Sequence, residues 1–334
     1  MSEERILLGH GSGGRMMHRL IHDVMAPAFS VSGFGDSALL AAAGPGRLAF
    51  TTDGYVVSPI FFPGGTIGEL AVNGTINDLA VSGARPLALS AGFILEEGLP
   101  LDDLRRIVAS MAAAARAAGV PIVAGDTKVV ERGKCDGCFI TTAGIGLVPE
   151  GRELSPRAIR VGDVVLVSGH TGSHGMAVMA ERNGLSFEPP LVSDTAALNG
   201  LTEAMFETGA AIRAMRDPTR GGLSTTLKEF ALESGRRILV READIPVLPG
   251  VRGACDLLGL DPLYVANEGL LIAIAAPDDA GRLLAAMLAH PNGRNAAIIG
   301  GIGAEDDAKV LLQTAAAGTR ILDMLAGEQL PRIC

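Results

Sequence analysis

The groups in this sequence with chemistry to offer are a set of aspartates seated among small residues and a cysteine, Cys334, that closes the chain. The cysteine ends the segment Leu330-Pro331-Arg332-Ile333-Cys334. Pro331 has no backbone N–H and pushes Leu330 toward extended conformations, so the last residues are expected to leave any helix before them. With no chain beyond it, Cys334 is expected to be exposed on a mobile end. Sulfur chemistry requires the thiolate, and beside the terminal carboxylate the thiol should keep a normal or raised pKa, so activation would have to come from a partner group. Two readings fit: an arm that carries sulfur to another site, or a frayed end that happens to stop at cysteine.

The aspartates recur in one pattern. Gly35-Asp36-Ser37, Thr51-Thr52-Asp53-Gly54, Asn73 with Asn77-Asp78, and Gly125-Asp126-Thr127 each set a carboxylate or amide among small neighbours. Small neighbours allow a ligand close approach, and several carboxylates together suit a hard cation such as Mg²⁺ bridging polyphosphate oxygens. The competing reading is that Asp and Gly simply make turns; four such places within one half of the chain favour metal and phosphate. Gly9-His10-Gly11-Ser12-Gly13-Gly14-Arg15 could add backbone N–H groups at a helix start, but it lacks the Gly-Lys-Ser/Thr ending of a P-loop, and a flexible entry segment explains it equally. Cys135-Asp136-Gly137-Cys138 has metal or redox spacing without a second pair nearby, so a loop before a strand is the plainer reading. His18 and His22, four apart on an expected helix, lack a third ligand. His170 and His174 sit in a glycine-rich turn that they could pack as readily as act in.

Composition bounds these readings. A chain of 334 residues, 48% hydrophobic, can bury two medium cores, and two domains are the expected division. Its net charge of -9, with no lysine/arginine run, argues against nucleic acid and anionic membranes as partners. The apolar stretches are too short to span a bilayer and no signal-peptide core is present, so a cytoplasmic protein is expected. The four cysteines, Cys135, Cys138, Cys255 and Cys334, read as free thiols.

The elements that must position these groups alternate. Strands are expected over 48–57, 86–95, 120–124 and 139–148, with helices over 67–83 and 101–118. In the second helix Leu104, Ile107, Val108, Met111 and Ala115 recur at three and four, and Gly119 stops it. The turn-rich segment 150–162 is the expected linker. Strands over 163–168, 237–240, 269–275, 296–302 and 310–314 follow, with helices over 173–183, 195–208, 222–234 and 278–290.

Taken in order, Gly35-Asp36-Ser37-Ala38, Thr51-Thr52-Asp53, the run Val72 to Ala80, Gly125-Asp126-Thr127-Lys128 and Asp217-Pro218-Thr219-Arg220-Gly221-Gly222 resemble the aminoimidazole ribonucleotide synthetase and selenophosphate synthetase superfamily. Within it, His10 to Gly14, Phe61-Phe62-Pro63-Gly64-Gly65, Asn267-Glu268-Gly269 and the terminal Pro331 to Cys334 look like the HypE family of hydrogenase maturation proteins. The resemblance covers nearly the whole chain. It implies an α/β (α+β) PurM-like fold of two domains, 1–150 and 163–325, with a flexible tail 326–334, and a homodimer whose first domains pair into a β-barrel. It implies an ATP-dependent dehydration on the protein's own tail: the carbamoyltransferase HypF places a carboxamide on Cys334, ATP converts its oxygen to phosphate, and the resulting thiocyanate passes cyanide to iron on HypC and HypD. Asp36, Asp53, Asp78 and Asp126 would hold Mg²⁺ and ATP, with Asn73, Asn77 and Thr127 nearby. Lys128 would meet the phosphate or the tail amide, and Glu268 would be the base, with Asp217 and Arg220 on the wall of the cleft. A related small-molecule kinase or synthetase, and a nucleotide-binding scaffold without chemistry, are the alternatives.

Overall fold

The computed structural model describes residues 5–11, 15–30, 40, 44–327, 330 and 332–334, so Asp36 and Pro331 lie outside the described residues. The first half opens with α1 (Arg15–Leu20), which runs through a π turn into α2 (Ala26–Phe29). Next come β1 (Arg47–Tyr55), a ribbon of β2 (Phe61–Phe62) and β3 (Gly65–Thr66), α3 (Ile67–Val81), β4 (Arg85–Glu96), α4 (Leu101–Ala118), β5 (Ile122–Val130) and β6 (Cys138–Val148). The four long strands form one sheet in the order β1-β6-β4-β5, in which only β4 and β5 are parallel.

One face of this sheet is covered by α3 and α4. The apolar three-four repeat of α4 is what buries: Leu104, Ile107, Val108, Met111 and Ala115 face the core, while Asp102 and Asp103 favour the positive helix start and pair with Arg105 and Arg106 one turn on. In α3 the Thr66 hydroxyl accepts from the Gly68 and Glu69 amides, closing the N-terminus. Every α3 residue except Glu69 and Asp78 is buried, as befits a helix with the sheet on one side and the second half of the chain on the other. Among the described residues the opposite face of the sheet is open, with Leu48, Phe50 and Ile94 at 65%, 73% and 38% exposure.

The second half holds β7 (Val164–Val167), α5 (Ser173–Arg182), α6 (Asn199–Glu207), β8 (Ile212–Arg216), α7 (Gly222–Ser234), β9 (Ile238–Arg241), α8 (Pro249–Leu258), β10 (Ile272–Ala275), α9 (Ala280–Ala289), β11 (Ala297–Ile302), β12 (Val310–Gln313) and β13 (Thr319–Leu322). Its sheet has the order β13-β12-β9-β11-β7-β10-β8 and its own core around Val165, Leu227, Phe230 and Ile272. The segment expected as a loose linker is tied down: Arg152 donates to the Gly83 carbonyl at 3.2 Å and to Glu203 at 2.8 Å. Strand β5 runs six residues past its expected end because it lies parallel along β4, which continues to Glu96.

Candidate active site

The site forms where α3, the end of β1 and the Asn267-Glu268-Gly269 turn converge. Along β1, Thr51, Asp53 and Tyr55 point toward α3. The Thr51 hydroxyl donates to Asp78 at 2.8 Å, and Asp53 accepts from the Gly54 amide at 2.8 Å. Tyr55 is fully buried, and a Cβ at Gly74 would fall 2.2 Å from its hydroxyl, so glycine is required for α3 to pack there. The Tyr55 pKa is raised by burial and then by the charges of Asp53 and Glu268.

The Glu268 turn is held rigidly. Asp194 accepts from the Glu268 and Gly269 amides, at 3.2 and 3.3 Å. A Cβ at Gly269 would overlap the Asp194 carbonyl at 1.7 Å. Asn267 accepts from the Gly172 amide and donates to the Pro218 carbonyl, at 2.6 and 2.9 Å. Asn77 completes the clamp: it donates to the Glu268 and Ala196 carbonyls and accepts from the Leu198 amide. Asn73 donates to Thr195 at 3.2 Å. Both amides of the α3 motif are therefore engaged in joining the two halves.

Glu268 is 2% exposed, and its Oε1 has no hydrogen-bond partner among the described residues. Burial first, then Asp217, Asp194 and Asp53, push its carboxyl well above the usual range, while a hydrogen bond with Cys334 opposes the shift. Asp217 is raised to about 7 by burial and then by Asp78, and burial raises Asp194 to about 6. Asp78 is raised by burial and by Asp53. These carboxylates share one crowded, negative, partly dry space. Among the described residues no group of three or more carboxylates, imidazoles or thiols is arranged to hold a metal ion.

Cys334 corrects the expectation of an exposed thiol. It packs against the first core, with Ile333 buried at 2% exposure. Burial and then Glu268 raise the thiol pKa well above its ordinary value, with Arg220 pulling the other way. A cavity of about 310 Å³ beside it is lined by Val56, Arg220, Tyr264, Leu325, Arg332 and Cys334, among others.

The remaining expected residues stand apart. Asp126 and Lys128 pair with each other at 3.3 Å, both more than half exposed. In the register Asp126 shares a row with Gly92, Thr141 and Gly54 on the open face of the sheet. Thr127 between them points inward, where its hydroxyl lies 3.6 Å from the Met25 sulfur. Cys135 and Cys138 are free thiols. His174 is a clamp for the tail: its Nε2 lies 2.8 Å from the Ile333 carbonyl and its Nδ1 2.8 Å from the Ser193 hydroxyl. A carbonyl only accepts, so Nε2 carries the proton and the neutral ring accepts at Nδ1.

Burial lowers the His174 pKa from 6.5 to about 4. Between those values the unfolded chain binds the extra proton and the folded one does not, so His174 costs stability as pH falls from 6.5 toward 4, by up to about 3 kcal/mol. Urea unfolding at pH 6.5 and 4.5 should show His174→Gln losing less stability than the wild type over that interval. Equal losses would exclude a neutral, buried imidazole.

Two α/β domains meeting at an aspartate-lined cleft define an AIR-synthase-like protein. The family models for the AIR synthase related protein, N-terminal and C-terminal domains, match residues 34–148 and 160–313. The carbamoyl dehydratase HypE of Bradyrhizobium diazoefficiens is 57% identical over 332 residues, covering 98% of this chain and 95% of its own. A crystal structure of the hydrogenase maturation protein HypE in complex with ATP superposes with a TM-score of 0.93 at 50% identity, covering 98% of this chain and 99% of that one. A crystal structure of a HypE-HypF complex does so at 0.81 and 46%, covering 92% and 99%. The chain belongs to the HypE family of AIR-synthase-related proteins, the carbamoyl dehydratases.

Two participants are not marked by the sequence: Asp194 carries no motif, and Tyr55 looks like an ordinary strand residue. His174 is marked as able to pack its turn or act in it, but nothing in the sequence says which carbonyl it meets. The Tyr55 spacing from Thr51 and Asp53, two residues apart on one strand face, was the available signal.

Proposed function

We propose that this chain converts an S-carboxamide on its own Cys334 into a thiocyanate, with ATP as the dehydrating reagent. The observation that carries the reading is the Cys334 sulfur docked against Glu268, beside the carboxylates of Asp53, Asp78 and Asp217. The likeness to a HypE solved with ATP and to a HypE in complex with HypF supports the nucleotide and a carbamoyltransferase as partner. HypF would load the carboxamide, and HypC and HypD would take the cyanide for the iron of a nickel-iron hydrogenase. Four free thiols suit a reducing, cytoplasmic setting.

The chemistry follows from the groups. An amide oxygen is a poor leaving group. Its attack on the γ-phosphate of ATP releases ADP and leaves a phosphorylated imidate, S–C(OPO₃)=NH, after one N–H proton is lost. Removal of the second N–H proton expels phosphate and leaves S–C≡N. Glu268 is the base for these protons, since it lies beside the sulfur that bears the carbon and is shielded from water. Asn77, Asn267 and Asp194 are positioning residues that fix its backbone. A raised thiol pKa keeps the docked sulfur uncharged, which suits a carrier and not a nucleophile.

Asp36, Asp53, Asp78 and Asp126 are the proposed Mg²⁺ and ATP ligands, with Asp217 adding charge. The mutual repulsion of Asp53, Asp78 and Asp217 is what a divalent cation would relieve, and Mg²⁺ commonly uses one or two carboxylates together with phosphate oxygens and water, so a closed protein cage is not needed. When bound, the ion would neutralise the phosphates during transfer. Lys128 and Asp126 lie on the open sheet face, which we take as the seat of a second copy closing a β-barrel. Thr127 supports that strand through its buried side chain.

The test is the intact mass of the tail peptide. Protein carbamoylated by HypF, freed of reagents and then given Mg-ATP, should lose one water from the peptide that ends in Cys334. An unchanged mass with ATP consumed would overturn the proposal.

A further inference from the structure

The tail is held by more than apolar contact. Arg182 donates to the Arg332 carbonyl at 2.8 Å and to the Ser58 carbonyl at 2.6 Å, and the Ser58 amide reaches the same Arg332 carbonyl at 3.2 Å. The Arg332 charge also lies near enough to Arg182 to repel it. The Asp136 carboxylate accepts from Arg332 Nη1 and is also the charge that offsets Arg332 at Arg182. Asp136 is set there by design of its loop: Glu96 accepts from the Gly133 amide at 2.6 Å and the Gly137 amide at 3.0 Å, pinning the turn on both sides. Arg332 itself adopts a left-handed backbone, φ 52°, which a non-glycine residue holds only when its surroundings fix it.

We propose that Asp136 is a positioning residue that latches the tail in its docked place, its carboxylate holding Arg332 against Arg182 and so setting how often Cys334 leaves the cleft. The proposal absorbs the Cys135-Asp136-Gly137-Cys138 motif, which the dehydration chemistry does not use, through its aspartate and not its thiols. It rests on the dehydratase reading only for its kinetic consequence. The docked thiol is half-buried against the first core and its pKa raised, so accepting a carboxamide requires the tail out, while dehydration requires it in. A latch must therefore act with opposite sign on the two steps.

The experiment is alkylation of Cys334 by iodoacetamide in the unmodified full-length protein, read by mass on the tail peptide so that Cys135, Cys138 and Cys255 do not confuse it. Asp136→Asn should raise the rate roughly three- to tenfold, the range expected for a half-exposed charge-assisted pair. Asp136→Glu should stay near the wild type, and the exchange Asp136→Lys with Arg332→Glu should return the rate toward it. With HypF and ATP, Asp136→Asn should accept carboxamide faster and dehydrate it no faster than the wild type, because loosening a mostly docked tail multiplies the small undocked fraction and lowers the docked one only slightly, whereas a folding defect would slow both. Unchanged alkylation in Asp136→Asn, or equal increases in Asn and Glu variants, would overturn the latch. If the wild-type tail never loses water on ATP, the dehydratase reading fails, and the alkylation series still decides the latch.

Discussion

Glu268→Gln should leave Cys334 able to accept a carboxamide from HypF while slowing ATP-dependent loss of water by roughly 10²- to 10⁴-fold, the range for removing a general base. Glutamine keeps the size of the side chain and can still bond the docked sulfur, so the tail should remain in place and its alkylation rate should not change. What glutamine cannot do is take a proton from the amide nitrogen. The carboxyl is suited to that work because it is buried among Asp217, Asp194 and Asp53, which raise its proton affinity, and because Asn267 and the Asp194 carboxylate hold the turn that presents it. Single-turnover dehydration of pre-carbamoylated protein is the measurement. A rate within tenfold of wild type would remove Glu268 from the chemistry and turn attention to Asp217 or to Asp53.

Much of this architecture was legible in the sequence, and the reasons are particular. Helix α4 was readable because its stripe is one-sided, and α7 was read at its observed bounds, Gly222 to Ser234. Helix α3 was readable by its small and apolar residues, yet burial on nearly every side leaves no stripe to tell which neighbour each face meets. Strands β8 and β13 and helix α8 were not anticipated. Two of β8's five residues are arginines, β13 has a solvent-facing side, and α8 begins with Pro249 and Gly250. The site divides in the same way. Asp53, Asp78 and Glu268 were legible as carboxylates in small-residue settings, and the structure brings them together. Asn73 and Asn77 were legible as polar, but their use between the two halves depends on partners more than a hundred residues away. The docked state of Cys334 was not legible, since burial of a chain end is decided wholly by long-range contacts such as His174 to Ile333 and Arg332 to Asp136.

Phe50→Asp should convert the protein to a monomer and abolish dehydration without unfolding it. Phe50 is 73% exposed on β1, beside Ile145 in the register and next but one to Leu48, and the sheet face they share is uncovered among the described residues. An open apolar sheet face is unfavourable in water, and pairing it with a second copy removes that apolar surface. Burying a phenylalanine contributes about 1.5–3 kcal/mol, and two-fold symmetry counts the substitution twice. Dimer affinity should therefore fall by roughly two to four orders of magnitude or more. Because the side chain packs little in the isolated protomer, its folding stability should change by less than about 0.5 kcal/mol. The loss of activity has a separate cause: Asp126 and Lys128 stand on that same face, away from the cleft of their own protomer that holds Glu268 and Cys334, so the monomer leaves them in water. Sedimentation velocity at micromolar concentration reads the first effect and single-turnover dehydration the second. A Phe50→Asp protein that still dimerises would remove this face as the interface, and a monomer that dehydrates at the wild-type rate would show that Asp126 and Lys128 need no second protomer.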